Sequence, residues 1–136
     1  MLVDIYPPDL HRAGLEAALR DLAAPLGARG IEATVSVPEG TRLSPTLETL
    51  FYRTAQEALR NVSRHSGATR VDVHLAVNGE LARLVVDDDG RGFDGEVEEG
   101  HLGLRLLADL AREAGGGLTV ESASGRGTRI VVEAPQ

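Results

Sequence analysis

Hydrophobic positions along the chain alternate between two periods. After Pro7-Pro8-Asp9, the residues Leu10, Ala13, Leu15, Ala18, Leu19 and Leu22 recur at helical spacing, with Asp9 placed as an N-cap and Gly27 or Gly30 as the stop. Ile31, Ala33, Val35 and Val37 then alternate as one face of a short strand. Ser44-Pro45 joins a cap to a proline suited to the first helical position, and predicts a long helix to about His65, ended by Ser66-Gly67. Its apolar stripe is Leu47, Leu50, Phe51, Ala55, Ala58, Leu59 and Val62.

The period then shortens. Val71, Val73, Leu75 and Val77 alternate, Asn78-Gly79 signals a tight turn, and Leu81–Val86 returns, so a hairpin is expected. Residues 87–100 are rich in acid and glycine and read as loop. A third helix spans Leu102–Ala114 and stops at Gly115-Gly116-Gly117. Two further strands, Leu118–Glu121 and Thr128–Val132, flank the turn Ser124-Gly125-Arg126-Gly127. Clustered hairpins exclude a regular parallel βαβ array and predict an α+β fold. The expected form is a two-layer sandwich, with a mixed sheet of about five strands carrying three helices on one face.

Composition narrows the class without naming a chemistry. The 136 residues suit one domain, and 42% hydrophobic with 26% charged residues is an ordinary globular balance. No apolar run approaches the roughly 18–20 residues of a membrane span. The N-terminus shows no basic region followed by an apolar stretch, so no secretory signal is read there. The absence of cysteine excludes disulfides and thiolate metal sites, and fits a reducing cytoplasm. A formal net charge of −7 argues against broad nucleic-acid binding, but not against one polyanion held in a local pocket. The abrupt opening reads as a fragment of a longer protein.

Three polar clusters could carry chemistry. Glu57 and Asn61 are four residues apart on the long helix, and Arg64 and His65 extend that face by a turn. A carboxylate, an amide oxygen and nearby cations suit magnesium shared with phosphates; the same residues also make an ordinary solvated face. Asp87-Asp88-Asp89-Gly90-Arg91-Gly92 follows a strand, and is either a close-approach site for a ligand or an acidic turn. Calcium is disfavoured, because consecutive aspartates do not provide ligands at alternating positions. Gly100-His101-Leu102-Gly103-Leu104 opens a helix whose free N–H groups could cradle phosphate, or simply connects two elements. It lacks a Walker lysine and follows no strand–GxGxxG unit.

The order of these clusters is more specific than any one of them. Gln56-Glu57-Ala58-Leu59-Arg60-Asn61, Asp88-x-Gly90-x-Gly92, Gly100-x-x-Gly103-Leu104 and Gly125-x-Gly127-Thr128 resemble the GHKL ATPase fold in sequence and spacing. The Gln56–His65 stretch, with Pro7-Pro8-x-Leu10 and Gly14-Leu15-x-x-Ala18-Leu19, resembles nitrate-sensor-type histidine kinases.

That resemblance implies a single ATP-binding catalytic domain over residues 1–136, with residues 1–8 a junction from a dimerisation domain. By the same resemblance Asn61 coordinates magnesium, supported by Glu57, and these two are the catalytic pair. Arg64 and His65 lie near the phosphates; Asp88 accepts a hydrogen bond from the adenine amine, with Gly90 and Gly92 making room. Gly100, Leu102, Gly103 and Leu104 close the phosphate end, where His101 either touches phosphate or packs a helix start. Thr128 backs the adenine contact, and residues 93–99 form a short acidic lid. The implied activity is a protein histidine kinase of two-component signalling that uses ATP and Mg. Its implied partners are a histidine-containing dimerisation domain of the same protein and a response regulator receiver domain. There is no direct nucleic acid partner, the location is cytoplasmic, and any membrane link runs through other parts of the protein. An anti-sigma-factor serine kinase of the same fold, or a degenerate interaction module, are the alternatives. His11 and His74 are not expected to accept phosphate.

Overall fold

Ser44 and Pro45 start the helix around which the other elements are arranged. The computed structural model describes residues 14–63, 67–91, 102–122 and 125–136. Helix α1 is Leu15–Gly27, strand β1 Glu32–Ser36, α2 Pro45–Asn61, β2 Arg70–Asn78, β3 Leu81–Asp88, α3 Leu102–Glu113, β4 Gly117–Ser122 and β5 Thr128–Pro135. The Ser44 hydroxyl accepts the Leu47 N–H at 3.2 Å, satisfying one of the free donors of the first turn, and Pro45 has no such donor to satisfy.

The sheet order is β1-β2-β3-β5-β4. β1 runs parallel to β2 and every other pair is antiparallel, so the sheet is mixed. α2 lies between α1 and α3 and touches β3 and β5, the middle of the sheet. This position buries more of α2 than one stripe: besides the seven expected apolar residues, Tyr52 and Thr54 are buried. The Thr54 hydroxyl donates to the Leu50 carbonyl at 2.8 Å, so its burial leaves no unmet donor. Val71, Val73 and Leu75, Ala82, Leu84 and Val86, and Ile130, Val132 and Ala134 supply the inner sheet face. The other face carries the cross-strand pairs Arg83–Glu133 and Arg129–Asp87, with Val85 as its one buried centre among the described residues. The expected two-layer α+β sandwich, with a five-stranded mixed sheet and three helices, is therefore what forms.

Three expected boundaries shift. Gly14 has φ 98° and lies outside the helix, so α1 begins at Leu15 and the predicted run from Leu10 does not continue through that point. β3 extends through Asp87 and Asp88, which were expected in the loop; pairing with β2 and β5 carries the strand past its last apolar residue. β5 likewise continues to Pro135, because Leu81, Ala82 and Arg83 pair with its last three residues.

Candidate functional site

The end of β3 and the start of β5 make one corner of the candidate site. Asp88 pairs in register with Thr128 on one side and Val71 on the other. Its Oδ1 accepts the Gly90 N–H at 2.7 Å. Burial pushes the Asp88 carboxyl above the usual carboxylate range, against the pull of N–H groups from Gly90 and Thr128; Asp89 and Asp87 add to the rise. A fixed, half-buried acceptor of this kind suits an exocyclic amine, because its oxygen is already oriented and poorly hydrated.

Gly127 makes that corner possible. It has φ +84°, and a Cβ there would lie 2.1 Å from the Asp88 carbonyl oxygen. Gly127→Ala therefore combines a left-handed backbone with a collision against backbone that has no rotamer to relieve it. The variant is expected to lose about 2 kcal/mol of stability, measured by urea denaturation. Thr128 is held in turn by Ser122, whose Oγ lies 2.9 Å from Thr128 Oγ1 and donates to the Gly127 carbonyl at 3.1 Å.

The second corner joins α2 and α3. Glu57 and Asn61 share one face of α2, with Asn61 its last residue. The Glu57 side chain is 16% exposed and pairs with Arg60 at 3.7 Å. It also lies against Gly103 in the first turn of α3, where a Cβ would come within 2.8 Å of the carboxyl carbon. A carboxylate at this helix start is favoured by the free N–H groups and the dipole. Two clusters far apart in sequence thus meet at one place. Leu104 is 2% exposed and belongs to the core, so its side chain does not face the site. Leu102 opens α3. The expected site residues Arg64, His65, Gly92, Gly100 and His101, and the lid at 93–99, lie outside the described residues, as do His11 and the Pro7-Pro8 junction. His74 pairs with Val85 on the sheet face away from the helices.

Magnesium can be tested against this donor set. Among the described residues no group of three or more His, Cys, Asp or Glu could hold a metal ion. Glu57 and Asn61 supply two hard oxygens on one helix face, fewer than the octahedral set magnesium takes. A magnesium ion arriving with phosphate oxygens and water fits; one held by protein alone does not.

Sequence reasoning missed Ser122, Thr69 and the part played by Asp89. The Asp89 carboxylate accepts the Thr69 N–H at 2.8 Å, the Thr69 hydroxyl at 2.7 Å and the Arg70 N–H at 3.0 Å. Asp89 stands in the acidic run that drew attention to Asp88, but nothing in the local pattern singles it out.

Comparison with known proteins identifies the family and the fold. The family model of histidine kinase-, DNA gyrase B- and HSP90-like ATPases matches residues 46–136. The sensor histidine kinase NarS of Mycobacterium tuberculosis is 36% identical over 139 residues, covering 97% of this chain and 32% of NarS. The sensor histidine kinase LiaS of Bacillus subtilis is 34% identical over 139 residues, covering 99% of this chain and 38% of LiaS. The chain thus spans about a third of the length of these two curated relatives. The histidine kinase domain of the Erythrobacter litoralis blue-light activated histidine kinase has the same fold, with a TM-score of 0.74 at 23% identity, over 89% of this chain and 58% of that one. No helix among the described residues is long and apolar enough to cross a membrane. With its α2 motif, its Asp88–Thr128 corner and its α3 turn all inside the matched region, the chain belongs to the histidine kinase-, DNA gyrase B- and HSP90-like ATPase family and carries that family's ATP-binding domain.

Proposed function

We propose that the chain is the catalytic part of a sensor histidine kinase, donating the γ-phosphoryl group of Mg-ATP to a histidine on a dimerisation domain. A response regulator receiver domain would then take the phosphoryl group from that histidine. The observation that carries this reading is the meeting of Glu57 with Gly103, in a chain that also pairs Asp88 with Thr128 at the end of β3 and whose relatives are named sensor histidine kinases. It supports one nucleotide lying with its base at Asp88 and its phosphates toward the α2 end and the α3 start.

Each residue has a physical task in this reading. The Asp88 carboxylate accepts the adenine amine hydrogen, with Thr128 beside it, while Gly90 and Gly92 leave the base room. Asn61 and Glu57 hold magnesium, whose chemistry is to neutralise charge on the phosphate oxygens. By resemblance, Arg64, His65 and the Gly100–Leu104 turn, His101 included, serve the phosphate end. Phosphoryl transfer is mainly positioning and charge neutralisation, so these groups need not form a covalent intermediate. The acceptor histidine is supplied by the partner domain. A cytoplasmic setting follows from the need for ATP and a receiver domain.

The test is a chimera carrying this chain behind a histidine-bearing dimerisation domain, incubated with magnesium and ATP labelled at the γ-phosphate. Acid-labile, alkali-stable label on the dimerisation domain is expected, as a phosphorus–nitrogen bond requires. A chimera that binds the nucleotide but labels only serine would contradict histidine transfer and favour the serine kinase of the same fold.

The lid yields a separate expectation. Asp94, Glu96, Glu98 and Glu99 bring four carboxylates close in sequence to the triphosphate, and like charges repel unless a cation intervenes. Nucleotide affinity should rise at least tenfold when magnesium is added, measured by calorimetric titration. Equal affinity with and without magnesium would remove the metal from the account.

A further inference from the structure

The connection from α2 to β2 and the segment leaving β3 are fastened to each other by side chains that the nucleotide reading leaves without a task. Both Thr69 and Arg70 direct their backbone N–H groups at Asp89 Oδ1, at 2.8 and 3.0 Å, and the Thr69 hydroxyl donates to Oδ2 at 2.7 Å. The Asp89 N–H returns a bond to the Arg70 carbonyl at 3.3 Å. Two residues on, the Arg91 side chain lies over Gly67, within 3.5 Å of where a Cβ would stand, and Gly67 itself has φ +64°. Two consecutive odd-numbered side chains therefore grip the same turn from the same segment. The hydroxyl and N–H donors also hold the Asp89 carboxyl below the usual carboxylate range, as expected of an acceptor that works ionised.

The position of this clasp gives it significance. The residues it grips, Thr69 and Arg70, enter β2 at its first residue. On the other side, Asp89 follows Asp88 directly, and Gly90, whose N–H orients the Asp88 carboxyl at 2.7 Å, comes next. Asp89 thus has its backbone inside the turn that aims the Asp88 carboxyl and its side chain bonded to the residues that open β2. We propose that Asp89 is a positioning residue for nucleotide binding, fixing the turn that aims the Asp88 carboxyl against the start of β2 without touching the nucleotide. This rests on the nucleotide reading of the site.

Removing the carboxylate frees three donors and loosens the turn that follows Asp88, whereas asparagine preserves the clasp. Its amide oxygen can accept the two N–H groups, and its NH2 can donate to the Thr69 hydroxyl, which turns to accept. The test compares the 136-residue chain with Asp89→Ala and Asp89→Asn. Amide hydrogen exchange at Gly90 is measured without nucleotide, and Mg-ADP and Mg-GDP affinities by calorimetry. Asp89→Ala is expected to exchange its Gly90 amide about tenfold faster, with Val73 and Leu84 amides unchanged. It should bind ADP about tenfold more weakly and lose part of its preference over GDP, while Asp89→Asn stays within about threefold of the parent on each measure. Unchanged Gly90 exchange in Asp89→Ala would overturn the proposal, as would faster exchange with ADP affinity and base preference intact. A parent chain that binds neither nucleotide sinks the reading of the site itself; it is distinguished from a failure of Asp89 because the exchange data do not depend on binding.

Discussion

Asn61→Ala is expected to abolish the contribution of magnesium to nucleotide affinity, lowering Mg-ATP binding at least tenfold, about 1.4 kcal/mol or more. The magnitude follows from the donor set. Asn61 and Glu57 are the hard oxygens that share this face of α2, so losing the amide leaves a carboxylate already engaged with Arg60 at 3.7 Å. Glu57 alone would hold magnesium less well than Glu57 with Asn61, and less of the phosphate charge would be neutralised. Without magnesium, the parent and the variant should bind equally weakly. Calorimetric titration with a non-hydrolysable ATP analogue, run with magnesium and with EDTA, separates the two terms. Asn61 is the last residue of α2 and only partly buried, so the fold should survive the change.

Asp88→Asn should have the second large effect, with opposite signs on binding and stability. The asparagine amide oxygen can keep the N–H groups of Gly90 and Thr128, so the corner remains formed. Its NH2 then faces the adenine amine, donor against donor, and ATP-analogue affinity should fall about 100-fold with loss of the preference over GTP. Stability should move the other way at neutral pH. Burial raises the Asp88 carboxyl above its unfolded value of 3.8, so the folded protein holds the proton more tightly than the unfolded chain. Its contribution to stability is then full below pH 3.8 and is lost as pH rises through the raised folded value. Asp88→Asn removes that loss. Its melting temperature relative to the parent should climb as pH increases across this window and stay above the parent at pH 7. Asp89, whose carboxyl is held low, has the opposite sign: its contribution is present above 3.8 and fades as pH falls through its lowered folded value.

Much of the fold was legible because local signals agreed with one another. The Ser44-Pro45 start and an unbroken apolar stripe located α2, and Asn78-Gly79 between two alternating runs located the β2–β3 hairpin. The ends of β3 and β5 were less legible. Asp87, Asp88, Ala134 and Pro135 join strands because partners across the sheet pair with them, and no local period signals that. The insertion of β5 between β3 and β4 is likewise a long-range choice. At the site, Asp88 could be found because an acidic run leading into Gly90 and Gly92 after a strand reads as a place where backbone can approach a ligand closely. Ser122 and Thr69 could not: each is an ordinary hydroxyl residue that acquires a task only when folding brings Thr128 or Asp89 within 3 Å. Leu104 shows the reverse case, a residue that stands in a motif while its side chain fills the core.

In the proposed reading, Asp88 and Asn61 address the two ends of one nucleotide. Titrating the chain with a non-hydrolysable ATP analogue in magnesium tests it most directly, with the GTP analogue and an EDTA control alongside. Binding that is saturable, weakened at least tenfold by EDTA and weaker for the GTP analogue is the predicted result. Absence of binding, or equal binding of both bases regardless of magnesium, would contradict it.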